Sequence, residues 1–368
     1  MKRIFTVLTS IALTFALSFS AAFANDDALM KSQNYLKTIT LDSPDAVIAY
    51  EATGMEADYK ADALLNNFKE TDYVTASYGD LAKSIIAISL LGENPKDFNN
   101  TNLVEILENR VQEDGTLTND VNGGCGATIW TLMALETVNS PKVKAVADKL
   151  STMAMDNGAY WYEYQGQNAD LDTTGWAMEA LSVAGRSIYK AAISKAYTFV
   201  QSKLNSTYGY YDNWGGNADT QSCVLEGLSV AGYTLDTNAY NYLLSYQNED
   251  GTFNALNYST GQLERNAYAS VEGARALGVI NNGSFILKAR QDYTKTTTPV
   301  VTEPETPTKP TKPSTTTPAV KPETTTTEPK KETVKVVNTG DNTNVMAYVV
   351  AAIAAVGVIV LVIKSKKK

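Results

Sequence analysis

Two stretches of this chain place acidic residues at nearly the same helical positions. Residues 168–185 read NADLDTTGWAMEALSVAG, and residues 217–232 read NADTQSCVLEGLSVAG. At an offset of 47, Asp172 falls on Asp219 and Glu179 on Glu226, and a further step of 46 brings Glu226-Gly227 onto Glu272-Gly273. Carboxyl groups at one shared place in neighbouring helices could form an acid/base couple for glycoside chemistry. They could equally line an acidic lumen that touches a ligand, or act as hydrogen-bonded struts. An unpaired carboxylate costs too much to press into a packed face, so some of them are expected to face an interior space or its mouth. Asp172 and Asp219 have a further structural reading as N-caps, each worth about 0.5–2 kcal/mol.

Aromatic rings gather near the intervening turns: Tyr160, Trp161, Tyr162, Tyr164, Tyr208, Tyr210, Tyr211 and Trp214. Amphipathic rings at one rim suit a sugar or a flat cofactor, and they also suit plain packing. The candidate ligand-binding set is thus Asp172, Trp176, Glu179, Asp219, Glu226, Glu272, Trp161 and Trp214. The candidates for catalysis are Asp170, Asp172, Glu179 and Glu226.

Composition removes several chemistries. The chain has no histidine, which excludes Ser-His-Asp and Cys-His catalysis and removes the commonest zinc ligand, so no metal site is expected. No cofactor is indicated. Cys125 and Cys223 are the two cysteines, too few for a disulfide framework, although one bond between them stays open. The net charge is −9; of 31 basic residues, setting aside Lys2, Arg3 and four tail lysines leaves 25 against 40 acidic ones, or −15. Nucleic acid and anionic lipid surfaces are therefore excluded as partners of the central region.

The acidic phrase belongs to a longer repeat. CGATIWTLMALETV precedes it and NAYASVEGARALG follows it in register, while GDLAKSIIAISLLG and SPDAVIAYEATG are earlier copies, six in all. Each copy is apolar nearly all round and rich in Ala, as suits a helix packed on both sides. A more amphipathic segment precedes each copy, such as TNLVEILENRV, with Leu103, Ile106, Leu107 and Val111 at helical spacing. Gly54, Gly92, Gly185, Gly232 and Gly278 are expected to stop the buried helices. A period of 40–50 residues marks a repeat protein. The expected fold is all-α: twelve helices in an α/α toroid over residues 25–290, with six inner helices forming a barrel.

Gln112-Glu-Asp-Gly115-Thr-Leu and Gln247-Asn-Glu-Asp-Gly251-Thr-Phe253 resemble the turn element of the prenyltransferase and squalene oxidase repeat. Asp156-Asn-Gly158-Ala-Tyr-Trp161 and Tyr208-Gly209-Tyr-Tyr211 are weaker versions. The resemblance implies the toroid, with the turn elements tying outer helices to neighbouring turns. Asp170-Leu171-Asp172-Thr173 resembles the Asp-x-Asp-Asp acid of class II terpene cyclases in two of its three acids. Asp219 and Cys223 sit near the zinc position of protein prenyltransferases, a reading rejected for want of histidine. Gly124-Cys125-Gly126-Ala127-Thr128 resembles a complement-type thioester motif, but Thr128 stands where the acceptor glutamine belongs. Vitamin B12 carriers of the intrinsic-factor type share the toroid, which adds a corrinoid to glycans and isoprenoids as ligand classes.

The ends carry addresses. Lys2-Arg3, an apolar run and Ala22-Phe23-Ala24 describe a signal peptide over residues 1–24. Residues 291–335 are rich in Thr, Pro, Lys and Glu and hold eight of the eleven prolines, as expected of an extended stalk. Residues 336–368 follow, with an apolar run at 345–363 expected to span a membrane ahead of a basic tail. This layout resembles a Gram-positive sorting signal, which implies sortase cleavage between Thr339 and Gly340 and linkage to peptidoglycan; a plain membrane anchor is the alternative. The sequence reading is an extracellular, surface-anchored toroid that binds a small molecule, glycan or host protein without catalysis. The alternative is an enzyme using lumen carboxylates, cyclase-like or glycan-active.

Overall fold

The computed structural model describes residues 26–56, 68–120, 123–211, 217–257 and 259–298. The signal peptide, the stalk after Thr298, Thr339, Gly340, the apolar run at 345–363 and Trp214 lie outside the described residues. Among the described residues no helix is long and apolar enough to cross a membrane.

Six helices carry the repeated phrase: α2 (Pro44–Ala52), α3 (Tyr78–Leu90), α5 (Gly126–Thr137), α7 (Leu171–Gly185), α9 (Ala218–Val230) and α11 (Ala267–Asn282). Around them stand α1 (Asp26–Thr38), α4 (Leu103–Asn109), α6 (Val143–Ser151), α8 (Lys190–Ser202) and α10 (Thr237–Leu244). The inner helices are buried on nearly every side, as their Ala-rich, all-round apolar sequences require. Each packs on the next in chain order, and α11 packs back on α2, so the ring is closed. The toroid expected from the repeat is the observed fold.

Close backbone approach makes the closure possible. A Cβ on Gly278 would meet the Ala52 carbonyl carbon at 2.5 Å, and one on Gly227 would meet the Gly175 oxygen at 2.2 Å. Gly278 is thus an internal residue of α11 that seals the ring, and Gly185 is the last residue of α7; neither is a stop after a helix. Gly54, Gly92 and Gly232 do follow their helices with positive φ. We expect Gly278→Val to destabilise the chain by about 1–3 kcal/mol through overpacking. A lowered thermal midpoint would show it, and an unchanged midpoint would mean that α11 and α2 are not in tight contact.

The turn elements complete the ring from outside. Gly115 lies against the Ala145 carbonyl in α6, Gly158 against Lys195 in α8, and Gly251 against Lys31 in α1. Each turn therefore docks on the following outer helix, and the last docks on the first. Gln247 Nε2 also donates to Ala28 O and to Ser32 Oγ, both at 2.9 Å. Equivalent positions of the phrase hold these turns from inside: Tyr160 N donates to Thr174 Oγ1, Tyr210 N to Gln221 Oε1 and Phe253 N to Ser270 Oγ, at 2.8–3.0 Å.

Three features depart from the expected twelve helices. Two antiparallel hairpins, β1 (Tyr160–Glu163) with β2 (Gln167–Asp170) and β3 (Phe253–Asn257) with β4 (Gln262–Asn266), lead into α7 and α11. A helix after the last inner one, α12 (Phe285–Thr297), carries the helical region past residue 290. It crosses the C-terminal ends of the inner helices: Lys288 pairs with Glu51 at 2.6 Å, Arg290 pairs with Glu136, and Thr296 Oγ1 donates to Gly92 O at 3.0 Å. One end of the barrel is thereby floored. The sixth outer helix expected, over 56–68, falls almost wholly outside the described residues.

Candidate functional site

Residues four and seven apart on a helix share a face, and the inner helices use this spacing to line the lumen. On α7 the face is Asp172, Trp176 and Glu179; on α9 it is Asp219, Cys223 and Glu226; on α11 it is Tyr268, Glu272 and Arg275. Gly175 and Gly227 let α7 and α9 touch through their backbones, and Asp172 acts across this contact on Cys223. At about 1.5 Å per residue, the glutamates Glu179 and Glu226 lie roughly 10 Å deeper than the aspartates. The repeat thus yields a mouth layer and a floor layer.

The N-cap reading of Asp172 and Asp219 is corrected two residues upstream. Asp170 Oδ2 accepts from Thr173 N at 2.8 Å and Thr173 Oγ1 at 2.5 Å, and Asn217 Oδ1 accepts from Thr220 N at 2.7 Å. Capping is therefore done by Asp170 and Asn217, because only a residue outside the helix can turn its side chain back onto the first-turn amides. Asp172 and Asp219, two residues further in and within the first turn, are left to face the lumen. Asp170 is correspondingly removed from the catalytic candidates, since its carboxylate is committed to holding the helix start.

The floor layer is an ion cluster. Arg275 is fully buried; its Nε donates to both oxygens of Glu226 at 3.0 Å, and its Nη atoms donate to Glu272 at 2.9 and 2.5 Å. Burial disfavours its charge, but Glu226 and Glu272 outweigh it and hold the guanidinium protonated. Glu179, also fully buried, accepts from Ser284 Oγ at 3.1 Å. Burial first, and then the carboxylate of Glu226, push Glu179 well above the usual carboxylate range. Both causes favour the protonated form of Glu179. Burial raises Glu226 as well, against the pull of Arg275.

The mouth layer holds the groups suited to chemistry. Burial, reinforced by Glu272, raises Asp219 to about 7, and Arg275 offsets only part of this. Its buried Oδ1 has no hydrogen-bond partner among the described residues. Cys223 donates to Glu272 at 3.5 Å and is driven well above its ordinary range by burial, Glu272 and Asp172. The indole Nε1 of Trp176 and the hydroxyl of Ser222 are likewise buried without a partner among the described residues. Across the lumen, Lys83 pairs with Asp45 at 2.8 Å and lies 4.6 Å from the Trp130 ring centre. Trp130 meets Trp176 edge-on at 5.6 Å and stacks on Phe285 at 6.4 Å. Tyr268 stands at the rim, 52% exposed, its phenol raised first by Glu272.

The structure therefore brings Asp172, Trp176, Glu179, Asp219, Glu226 and Glu272 into one lumen. Trp161 is elsewhere: its Nε1 donates to Met153 O at 3.0 Å and its carbonyl accepts from Cys125 N at 2.9 Å, so it fastens the turn. Sequence reasoning missed Arg275, Lys83, Asp45 and Trp130. A lone arginine three residues after Glu272 in an Ala-rich buried helix was the available signal. Both cysteines are buried free thiols, with burial raising Cys125 to about 11. We expect neither to react with a thiol reagent in the folded chain and both to react in denaturant. Rapid labelling of the native protein would contradict this burial.

No family model matches the chain, and no curated protein does. Solved structures do. A protein from Actinoplanes is 13% identical, with a TM-score of 0.51 over 70% of this chain and 99% of that one. The unsaturated glucuronyl hydrolase of Bacillus sp. GL1, described as responsible for the degradation of glycosaminoglycan, is 13% identical, with a TM-score of 0.48 over 70% and 96%. The unsaturated glucuronyl hydrolase of Streptococcus agalactiae is 9% identical, with a TM-score of 0.43 over 70% and 91%. The neighbours with a stated activity are hydrolases and not the non-catalytic binding or adhesion modules expected above; at these identities the likeness is one of fold alone. The chain shares the fold of the Actinoplanes protein, a closed ring of helical hairpins around a lumen.

Proposed function

We propose that this chain is a glycan-active hydrolase whose reaction takes place in the mouth layer of the barrel. The observation that carries the reading is Asp219, a carboxyl raised to about 7 whose Oδ1 has no partner among the described residues, at the same helical position as a second carboxyl, Asp172, on the neighbouring inner helix. A general acid works best when its proton affinity is close to the working pH. Asp219 gives its proton to the glycosidic oxygen as the bond from that oxygen to the anomeric carbon breaks. Asp172 takes a proton from the attacking water as the water oxygen bonds to that carbon. Exchange with solvent then returns both carboxyls to their starting states. Trp176 and Tyr268 offer ring faces for the sugar, and Arg275 with Glu272 fixes the surroundings of Asp219.

The same geometry disfavours the cyclase branch of the enzyme reading. Asp170, one of the two acids matching the cyclase motif, is a helix cap. Trp176 Nε1, Ser222 Oγ and Asp219 Oδ1 are also buried without a partner among the described residues, polar capacity that an isoprenoid chain would leave unmet. The resemblance of the repeat to the prenyltransferase and squalene oxidase repeat then concerns architecture. We further propose display outside a Gram-positive cell through the segment at 336–368, with the residues after Thr297 as a spacer. Purified protein incubated with neutral, amino-sugar and uronate oligosaccharides between pH 5 and 8 is expected to release reducing ends from at least one class. No release from any class would overturn the hydrolase reading.

A further inference from the structure

The turn between α8 and α9 meets the outer helix α10 through a pair of phenols. Tyr210 in this turn is 1% exposed, while its neighbours Tyr208 and Tyr211 are 42% and 36% exposed. Tyr211 Oη lies 2.6 Å from the Oη of Tyr242 on α10, which in turn lies 3.1 Å from Tyr246 Oη. The ring centres of Tyr211 and Tyr242 are 6.4 Å apart, with their planes at 53°. Gly209 shows how closely the ring edges approach. A Cβ there would meet Tyr211 Cε2 at 2.4 Å and Tyr242 Cε1 at 2.8 Å, so these two carbons crowd one point in space. Both are ring positions next to the hydroxyl, where a phenoxyl radical carries unpaired electron density. Only glycine leaves room for this arrangement.

We propose that Tyr211 and Tyr242 form a modification site, which couples to an intramolecular dityrosine when the protein meets peroxide and a one-electron-oxidising haem peroxidase. Tyr211, being exposed, gives up an electron and its hydroxyl proton first, and then draws a hydrogen atom from Tyr242 across the 2.6 Å contact. Restored, Tyr211 is oxidised a second time beside the Tyr242 radical. The two radicals join through a new bond between Tyr211 Cε2 and Tyr242 Cε1. The hydrogen on each of these carbons then moves to the ring oxygen, which returns both rings to phenols. In balance, two electrons and two protons leave the pair and reduce one peroxide to two waters. The bond staples the turn in front of α9 to α10 across 31 residues of chain, which restricts the unfolded state.

Treatment of the full chain, at high dilution, with hydrogen peroxide and a haem peroxidase tests this. The expected product is monomeric, carries the blue fluorescence of dityrosine and weighs two hydrogen atoms less. On digestion it links the peptides that hold Tyr211 and Tyr242, and its thermal midpoint is expected to rise by several degrees. Tyr211→Phe and Tyr242→Phe are each expected to lose nearly all of the fluorescence, whereas Tyr246→Phe keeps it. Gly209→Ala retains both phenols and is expected to lower the yield severalfold by pushing the ring edges apart. Circular dichroism of each variant checks that the wild-type fold is kept. A cross-link that maps elsewhere, as to Tyr197 and Tyr233, which stack at 3.9 Å, would overturn the assignment. So would cross-linking between chains alone, or undiminished fluorescence in Tyr211→Phe.

Discussion

Replacing Asp219 with asparagine is expected to lower kcat on a cleaved glycan by about 10²–10⁴-fold, the usual worth of a positioned acid or base. The same substitution is expected to stabilise the folded chain above neutral pH. The sign follows from its proton affinity, raised from 3.8 to about 7 by burial and then by Glu272. Between these values the folded chain keeps a proton that the unfolded chain has released, so stability falls as pH rises through this window. At about 1.4 kcal/mol per tenfold, the loss reaches up to about 4 kcal/mol above pH 7. Asparagine never ionises and escapes it. The advantage of D219N in thermal midpoint should therefore be small at pH 4 and greatest at pH 8. A catalytic loss without this pH-dependent gain would mean that Asp219 is not the buried, neutral acid described above.

Arg275→Met is expected to cost about 3–5 kcal/mol at pH 7, because breaking a buried ion pair leaves a charge without compensation. Four hydrogen bonds to Glu226 and Glu272 disappear at once, all of them at fully buried atoms. Burial already raises Glu226, and Arg275 is the main influence lowering it. Without the arginine, Glu226 rises further and prefers to be protonated. Its contribution is then lost as pH increases, so the variant should be less impaired at pH 5 than at pH 8. Adding E226Q to R275M should recover part of the loss, since the amide removes the stranded charge. Urea unfolding of the four chains of this cycle measures the coupling. A single variant within 1 kcal/mol of wild type would show that the cluster contributes little to the fold.

The depth of the cluster explains why some of it was legible and some was not. Glu179 and Glu226 share one repeat position in sequence and structure, two turns below Asp172 and Asp219. The offset of 46 misplaces Glu272, however: the helix caps Asn217 and Asn266 are 49 apart, so Glu272 stands level with Cys223 and Arg275 takes the third glutamate's place. That spacing is local, fixed by 3.6 residues per turn, so a common face could be read without a structure. The partners came from other helices. Arg275 reaches Glu226 across 49 residues, and Ser284 reaches Glu179 across 105. Lys83 and Asp45 meet between α3 and α2, two helices whose copies of the phrase are degenerate. The two-residue error over the N-caps has a local cause: Asp170 and Asp172 are both acceptable caps by type, and only the hairpin register, with Tyr160 opposite Asp170, ends the strand at 170.

By itself the sequence determined the repeat, the six inner helices, their all-round burial and the turn elements that fasten each hairpin to the next. These are near-neighbour properties, repeated often enough that a single copy's degeneracy does little harm. The tertiary structure alone decided that α12 closes the floor, that Gly278 seals α11 on α2, and which carboxyls are paired. The reason is physical. Proton affinity and ion pairing depend on the distances among groups and on burial, and a ring brings together residues that the chain keeps far apart.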